Sequence, residues 1–598
     1  MPKSSTRQAV ASEIPWARIL HVAQQRFHIK RFRPGQREVL ESVFRGRNTL
    51  ALMPTGAGKS LTYQLPALFL PKPVVVVSPL IALMQDQQEK AADARINVEK
   101  LDSTLRKSEA AQAEEDIREG EAQLIYVTPE RLQSREFLDE LKAVGGISLL
   151  VVDEAHTIAQ WGHDFRPAFL AIGEARRALG DPPVLALTAT ATEEVAREIL
   201  ASLHAEDVKI ISTGTERRNL FFAVYPTVNH EAKLARIAAM LEREQGSGII
   251  YTASVRSAND LHGYLTERGH NVGNYHGRMP ARQREAVQQS FMRGDHRVMI
   301  ATKAFGLGID KPDIRFVFHF EFPDSLETYY QEAGRAGRDG APAHAALLYR
   351  LEDKRIQSFF LAGRYPRPEE LRAIATTLGA PSQTASSSEV ASQTLDEIAT
   401  RADVNKRRTQ VILHLLLEAG FVTRGKSGYT ATEEQPTEEV LAQLLQTDVD
   451  RAQRDKARLA DMMHYAETPN CRTQIIRAYF SEPVGEPCLR CDNCAAQHPD
   501  QVSPEVLTQL GLEPKPPRPE PPPETTITTV QTAYGEIHTT APETLPVVEP
   551  ASPFRKGDIV RHKRFGQGKV LDIHNQIALV DFLKSGQRRL RTDFLEAA

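Results

Sequence analysis

Four groups of residues in this chain carry chemistry by their types and spacing. The first is Met53-Pro54-Thr55-Gly56-Ala57-Gly58-Lys59-Ser60. It follows the apolar run Thr49-Leu50-Ala51-Leu52 and precedes Leu61-Thr62-Tyr63, which can continue as a helix. A strand, a glycine-bearing turn and a helix start aim backbone N–H groups at an anion, and the helix dipole favours its charge. Lys59 supplies a point charge for β- and γ-phosphates, and the Ser60 hydroxyl suits Mg²⁺. Met53 stands where the full phosphate-loop pattern has its first glycine, so the match is partial.

The second group is Asp153-Glu154-Ala155-His156, placed after the apolar run Leu149-Leu150-Val151-Val152. Two adjacent carboxylates at a strand's end are costly unless they hold a cation. Asp153 suits Mg²⁺, and Glu154 suits orienting or deprotonating an attacking water. Alone, the four residues also fit a helix N-terminus with acids on the dipole. Together with Gly58-Lys59-Ser60 they describe a nucleotide hydrolase. The third group is Arg335 and Arg338 within Gln331–Gly340. Three apart, they fall on one helical face and can reach a γ-phosphate from across a cleft. The fourth is Cys471, Cys488, Cys491 and Cys494, which are all the cysteines of the chain. Four closely spaced thiolates repel unless a thiophilic cation binds them. They suffice for a closed structural Zn²⁺ site, with an iron–sulfur cluster as the alternative.

These residues need elements to position them. Strand candidates Val74–Ser78, Leu124–Thr128, Leu149–Val152 and Val184–Thr188 alternate with helical patterns. Continuous apolar runs are what a parallel sheet covered on both faces requires. A doubly wound α/β fold follows, with ligands at the strands' carboxyl ends. A second such unit runs from about 215 to 350, with strand candidates Gly248–Thr252, Val298–Ala301 and Phe316–Phe320. Upstream, Phe32-Arg33-Pro34-Gly35-Gln36 reads as a turn, and the Gln36 amide has the donor and acceptor to pair with adenine. Directly after the acid pair, Gln160–Pro167 holds Trp161, Phe165 and Arg166, which could stack on unpaired bases.

At 598 residues the chain is too long for one core. Hydrophobic content of 41% and charged content of 25% are ordinary for globular protein. A net charge of −3 makes any nucleic-acid surface local. Apolar runs are too short for a membrane span, and few cysteines in a long chain fit a reducing cytoplasm.

The ordered set resembles superfamily 2 helicases, and specifically the RecQ family. Phe32–Gln36, Pro54–Ser60, Asp153–His156, Gln160–Pro167 and Gln331–Gly340 carry the likeness, with the cysteine spacing and Cys471-Arg472 leading to Tyr479-Phe480. It implies two RecA-like domains closing on ATP and Mg²⁺, and 3′→5′ translocation on single-stranded DNA. By that likeness Gln36 and Thr55, Gly56, Ala57, Gly58, Lys59 and Ser60 bind ATP. Ser60 and Asp153 hold Mg²⁺, Glu154 serves water, and Arg335 and Arg338 act from the opposite domain. Trp161, Phe165 and Arg166 couple DNA to hydrolysis, and the four cysteines hold Zn²⁺. Ile29 stands where some relatives carry an aromatic that stacks on adenine.

The expected division is 1–210 and 211–362 for the RecA-like domains, then a winged helix at 366–435. A helical hairpin and zinc module follow at 445–497, then a proline-rich linker at 498–552 and a small β-barrel at 553–598. The winged helix rests on a short helix near Leu395, a longer one over Val404–Gly420 and a hairpin over Phe421–Thr430; it suits DNA or a protein. Relatives carry theirs after the zinc module, whereas here it precedes it. Asp448–Tyr465 reads as a charged amphipathic helix. From Phe554 onward ten Lys/Arg face five Asp/Glu. Val560-Arg561-His562 with Phe565-Gly566-Gln567-Gly568 resembles the Tudor-like module of UvrD/PcrA helicases, which implies docking of RNA polymerase. The expected function is an ATP-dependent DNA helicase of recombination and repair, cytoplasmic and nucleoid-associated, acting on single-stranded and branched DNA. An RNA-directed ATPase and a transcription-coupled adaptor are the alternatives.

Overall fold

The computed structural model describes residues 14–509 and 554–597. Short interruptions fall at 80, 103–104, 159–170, 307–308, 310, 363–364, 380–391, 426–427, 433–435, 564, 575–576 and 583–585. Trp161, Phe165 and Arg166 therefore lie outside the described residues.

Seven strands form the first sheet: β1 Thr49–Leu52, β2 Val74–Val77, β3 Val98–Leu101, β4 Leu124–Val127, β5 Leu149–Val152, β6 Val184–Thr188 and β7 Lys209–Ser212. All pairs are parallel, in the order β3-β4-β2-β5-β6-β1-β7. Each strand of the middle contributes to two cores. Leu150 and Val152 of β5 enter one apolar cluster, and Leu149 and Val151 enter the other. That two-sided burial is why β2, four consecutive valines, has no polar position.

The second sheet holds β8 Leu220–Pro226, β9 Ser247–Tyr251, β10 Val272–Tyr275, β11 Val298–Ala301, β12 Ile314–His319 and β13 Ala343–Tyr349. It too is wholly parallel, in the order β10-β11-β9-β12-β13-β8. Arg335 and Arg338 do not share a helical face. The helix Leu326–Ala333 ends before them, and both sit in the turn that follows. Gly337 takes φ +60 there, and a Cβ on it would stand 2.4 Å from Asn219 Nδ2. A helix cannot continue through that conformation.

Helices Pro368–Gly379, Leu395–Arg401 and Lys406–Glu418 pack with a hairpin, β14 Val422–Gly425 and β15 Gly428–Ala431. The next helix starts at Glu438, ten residues before the expected Asp448, and runs to Glu467. Its first half sends Leu441 and Leu445 into the core of the three helices. Its second half sends Leu459, Met462 and Tyr465 into a core shared by the second sheet and the cysteines. Between them, Arg454 reaches Glu194 and Glu198 beside the first sheet at 2.6 and 2.8 Å. One turn on, Arg458 lies 3.9 Å from Glu327 beside the second sheet. This long helix is a strut touching every unit up to the cysteines.

The C-terminal strands β16 Ile559–His562, β17 Gly566–His574, β18 Ile577–Phe582, β19 Gly586–Arg591 and β20 Glu596–Ala597 form an antiparallel sheet in the order β19-β18-β17-β16-β20. Arg588 pairs with Glu467 at 3.0 Å, so the sheet rests on the end of the long helix. Among the described residues no helix is long and apolar enough to cross a membrane.

Candidate nucleotide site between the two sheets

The loop after β1 and the acid pair after β5 emerge at carboxyl ends of strands separated only by β6. Neighbouring strand ends in a doubly wound sheet leave the crevice where ligands bind. Gly56 and Gly58 adopt φ +84 and +76, which turns the loop's backbone inward. Thr55, Gly56, Gly58, Lys59, Ser60, Asp153 and Glu154 line a cavity of about 300 Å³, and Gln331, Arg335 and Arg338 line it from the second sheet. Both sides of the expected set meet in one cleft. Lys59 Nζ points back along the loop, 3.4 Å from the Met53 carbonyl.

Asp153 is buried, and Glu154 is half-buried on a strained backbone. Glu154 takes φ +49, uncommon for a residue with a side chain, and its N–H donates to Asp153 Oδ1 at 3.0 Å. Burial, then the charge of Glu154, push the Asp153 carboxyl up to about 7, against the pull of Lys59. Burial raises Glu154 as well, but Lys59, His156, Arg335 and Arg338 together hold it below the usual range. Adjacent carboxylates in such different environments are suited to different roles. A buried and a half-buried acid against one lysine on the same lobe leave a place for a divalent cation, so the donor set fits Mg²⁺.

A polar chain leads from this pair to the other lobe. His156 Nδ1 lies 3.4 Å from Glu154 Oε2 and 3.0 Å from Thr188 Oγ1. Burial keeps that imidazole's pKa below its ordinary value. Thr188 Oγ1 donates to the Thr190 carbonyl at 3.0 Å, and Thr190 Oγ1 accepts from Gln331 Nε2 at 3.3 Å.

Gln36 behaves differently from the sequence expectation. Its amide nitrogen donates to the carbonyls of Ala57 and Gly58 at 3.1 and 2.9 Å, and its oxygen accepts from Arg33 N–H at 2.8 Å. Only 2% exposed, it braces the phosphate loop from behind. Arg33, whose guanidinium donates to the Gly56 carbonyl, lines the cavity instead. Two residues at the cleft carry no signal in the sequence: Arg33, in the turn before Gln36, and Arg217, in the polar connector between the sheets. Nothing in the connector's composition separates Arg217 from a solvated arginine.

Around the cysteines, all four Sγ atoms lie within 4.8 Å of one another, and all four thiols are free. Cys488 and Cys494 sulfurs are 3.9 Å apart. One tetrahedral ion at about 2.3 Å from each sulfur sets neighbours roughly 3.8 Å apart. Several iron atoms between the thiolates would spread them further, so the geometry fits Zn²⁺. Backbone N–H groups of Arg472, Cys488, Arg490 and Cys494 lie 3.3–3.4 Å from these sulfurs, offsetting thiolate charge. The buried Arg472 forks onto Asp492 with two contacts of 2.9 Å. Asp492 Oδ2 also accepts from Val224 N–H at 3.0 Å, which fastens the module to edge strand β8.

Two parallel sheets that share a phosphate-loop cleft, with the arginines opposite, define the helicase-type ATPase core. Comparison with known proteins agrees. Residues 33–199 match the DEAD/DEAH box helicase model, 232–340 the helicase conserved C-terminal domain, and 434–495 the RecQ zinc-binding model. The chain is 36% identical over 396 residues to the probable ATP-dependent DNA helicase RecS of Bacillus subtilis, covering 66% of this chain and 78% of that one. It is 41% identical to the ATP-dependent DNA helicase RecQ of Bacillus subtilis, over 57% of this chain and 58% of that protein. With RecQ of Haemophilus influenzae identity is 37%, over 56% of this chain and 54% of that protein. The chain belongs to the RecQ family of superfamily 2 helicases. It spans little more than half the length of the two RecQ relatives.

Proposed function

We propose that this chain is an ATP-dependent 3′→5′ DNA helicase of RecQ type that unwinds duplex DNA in recombination and repair. The observation that carries this reading is one cavity lined by Lys59, Asp153 and Glu154 from one sheet and Arg335 and Arg338 from the other.

Bound ATP with Mg²⁺ supplies the phosphoryl group whose transfer to water drives the cycle. Thr55, Gly56, Ala57 and Gly58 present backbone to the phosphates, and Lys59 adds its charge. Ser60 and Asp153 would hold the cation, which favours the charged form of a carboxyl that burial otherwise disfavours. Glu154, ionised at neutral pH, accepts a hydrogen bond from the attacking water and orients it. Arg335 and Arg338 reach from the second lobe to the charge that spreads over the transferring group. Gln36 serves adenine only by giving up its bonds to the loop, so base recognition and loop conformation are linked. Trp161, Phe165 and Arg166 follow the acid pair by a few residues and couple single-stranded DNA to the cleft.

The domain division stated from the sequence is corrected at two bounds: the start of the helix Glu438–Glu467 joins the core of the preceding helices through Leu441 and Leu445, and the linker begins only after the helix Pro504–Gln509, whose Val506 and Leu507 pack with Phe221 and Ala223 of β8. The helices and hairpin of 366–435 are proposed as a winged helix that touches the DNA backbone. The sheet of 553–598 is proposed as a Tudor-like barrel that docks RNA polymerase. A pulldown with residues 550–598 tests this; no capture of purified polymerase rejects it.

The helicase reading is tested by unwinding of 3′-tailed against 5′-tailed duplexes with ATP. Strand separation of the 3′-tailed substrate is expected, and preference for the 5′ tail overturns the polarity. Stronger stimulation of hydrolysis by RNA than by DNA oligomers would move the protein to the RNA-directed ATPases.

A further inference from the structure

The connector between the sheets carries a guanidinium that bonds to both walls of the cleft. Arg217 Nη1 donates to the Thr55 carbonyl at 3.2 Å and to the Gly334 carbonyl at 3.3 Å. Nη2 donates to the carbonyls of Ala336 and Gly337 at 3.1 and 2.9 Å, and Nε to Asn219 Oδ1 at 3.4 Å. Thr55 belongs to the phosphate loop. The other three carbonyls belong to the turn that bears Arg335 and Arg338. Asn219 supports the same turn, donating to Gly337 and Ala341 carbonyls at 2.7 and 2.9 Å. Only a planar fork with donors on both edges can reach carbonyls on two sides at once; an ammonium has neither the reach nor the geometry.

The connector is itself held from outside the cleft. Thr215 N–H and Oγ1 both donate to Glu482 Oε2, at 3.1 and 3.0 Å. The Thr215 carbonyl accepts from Tyr330 O–H at 2.5 Å, and the Tyr330 ring packs 5.7 Å from Phe480. Arg490 pairs with Glu216 at 3.1 Å. Phe480, Glu482 and Arg490 all belong to the cysteine module. Polar contacts thus anchor the segment to that module at Thr215 and Glu216, and the chain itself carries that anchorage one residue further to Arg217 and its bonds with both walls.

We propose that Arg217 is a positioning residue that sets the arginine turn in register with the phosphate loop, and that Glu482 of the cysteine module fixes Arg217's segment through Thr215. This rests on the reading of the cavity as the ATP site. Arg217 touches backbone carbonyls and the Asn219 side chain, and no reacting atom. Its loss therefore leaves nucleotide affinity nearly intact and lowers turnover, because displaced arginines lose contact with charge that develops only in the transition state.

The test uses the full chain and measures DNA-stimulated kcat and KM, fluorescent-nucleotide affinity, zinc content and thermal midpoint for R217A, R217K, E482A and K59A. R217A and R217K are expected to lose about a hundredfold in kcat with KM and nucleotide affinity nearly unchanged. E482A, losing one acceptor, is expected to lose about three- to tenfold in kcat with zinc retained. Wild-type kcat in R217K overturns the proposal, since charge alone would then suffice. So does wild-type kcat in E482A, which breaks the relay to the module. Should R217A fail to fold, R217K and E482A decide. Retained turnover in K59A is a separate failure: it removes the ATP site from this cavity, whatever the arginine variants show.

Discussion

Gly56 and Arg338 meet across the cleft: a Cβ on Gly56 would stand 3.2 Å from Arg338 Cγ, at a backbone φ of +84. Glycine is needed there twice, for the left-handed backbone and for the approach of the opposite arginine. Gly56→Ala should strain the loop by about 1–2 kcal/mol and push Arg338 away. Steady-state hydrolysis is expected to fall about tenfold or more. Unchanged turnover in a folded variant would show that the two walls do not work at this separation.

Lys59→Ala removes the ammonium whose charge favours the ionised form of both acids. DNA-stimulated hydrolysis should vanish while single-stranded DNA still binds in a filter or anisotropy assay. A variant that hydrolyses ATP at the parent rate rejects the cavity as the active site.

Metal removal should act on architecture. A mercurial reagent that titrates the four thiols is expected to release a single equivalent of zinc, read with a chromogenic chelator. The thermal midpoint should drop with release, because the cysteines share one core with the second sheet and the long helix. Iron in the purified protein, or release with no loss of stability, would contradict the assignment.

Two arginines separate burial from mere pairing. Arg472 is 3% exposed and forks onto Asp492. Truncating it takes the cation from a half-buried carboxylate that keeps only its N–H partners, and Arg472→Ala should cost about 3 kcal/mol in chemical denaturation. Arg454 bonds two carboxylates, but its side chain is 34% exposed and theirs 47% and 37%. Screening by solvent limits Arg454→Ala to less than about 1 kcal/mol, shrinking further in high salt. Equal losses for the two would mean that exposure is not what sets their worth.

Periodicity revealed the central strands and missed others. Strands β2, β4 and β5 are unbroken apolar runs, and β6 is one up to Thr188, because both faces are covered. Edge strand β7, Lys209–Ser212, has only Ile211 buried, so it carries no such run. Strand β13 is fully buried yet opens Ala-His-Ala-Ala, a composition that favours helix until neighbours β8 and β12 impose extension. The arginine turn failed as a helix for a comparable reason. Spacing alone suggested one face, whereas the helix stops at Ala333 and the left-handed backbone of Gly337, close against Asn219, keeps it from resuming through Arg338.

By itself the sequence determined the inventory: a phosphate loop, an acid pair, two arginines, four cysteines, and the two sheets that must carry them. Those are local matters, since each motif's chemistry is written in side chains a few residues apart. Tertiary structure alone decided that Gln36 braces the loop and that Arg217 spans the cleft. It also decided that one helix of thirty residues ties the lobes to the cysteine module. The physical reason is that a glutamine amide or a guanidinium has no preference between water and a carbonyl until folding buries it, and the carbonyls it meets are brought by other segments, some twenty residues away for Gln36 and more than a hundred for Arg217.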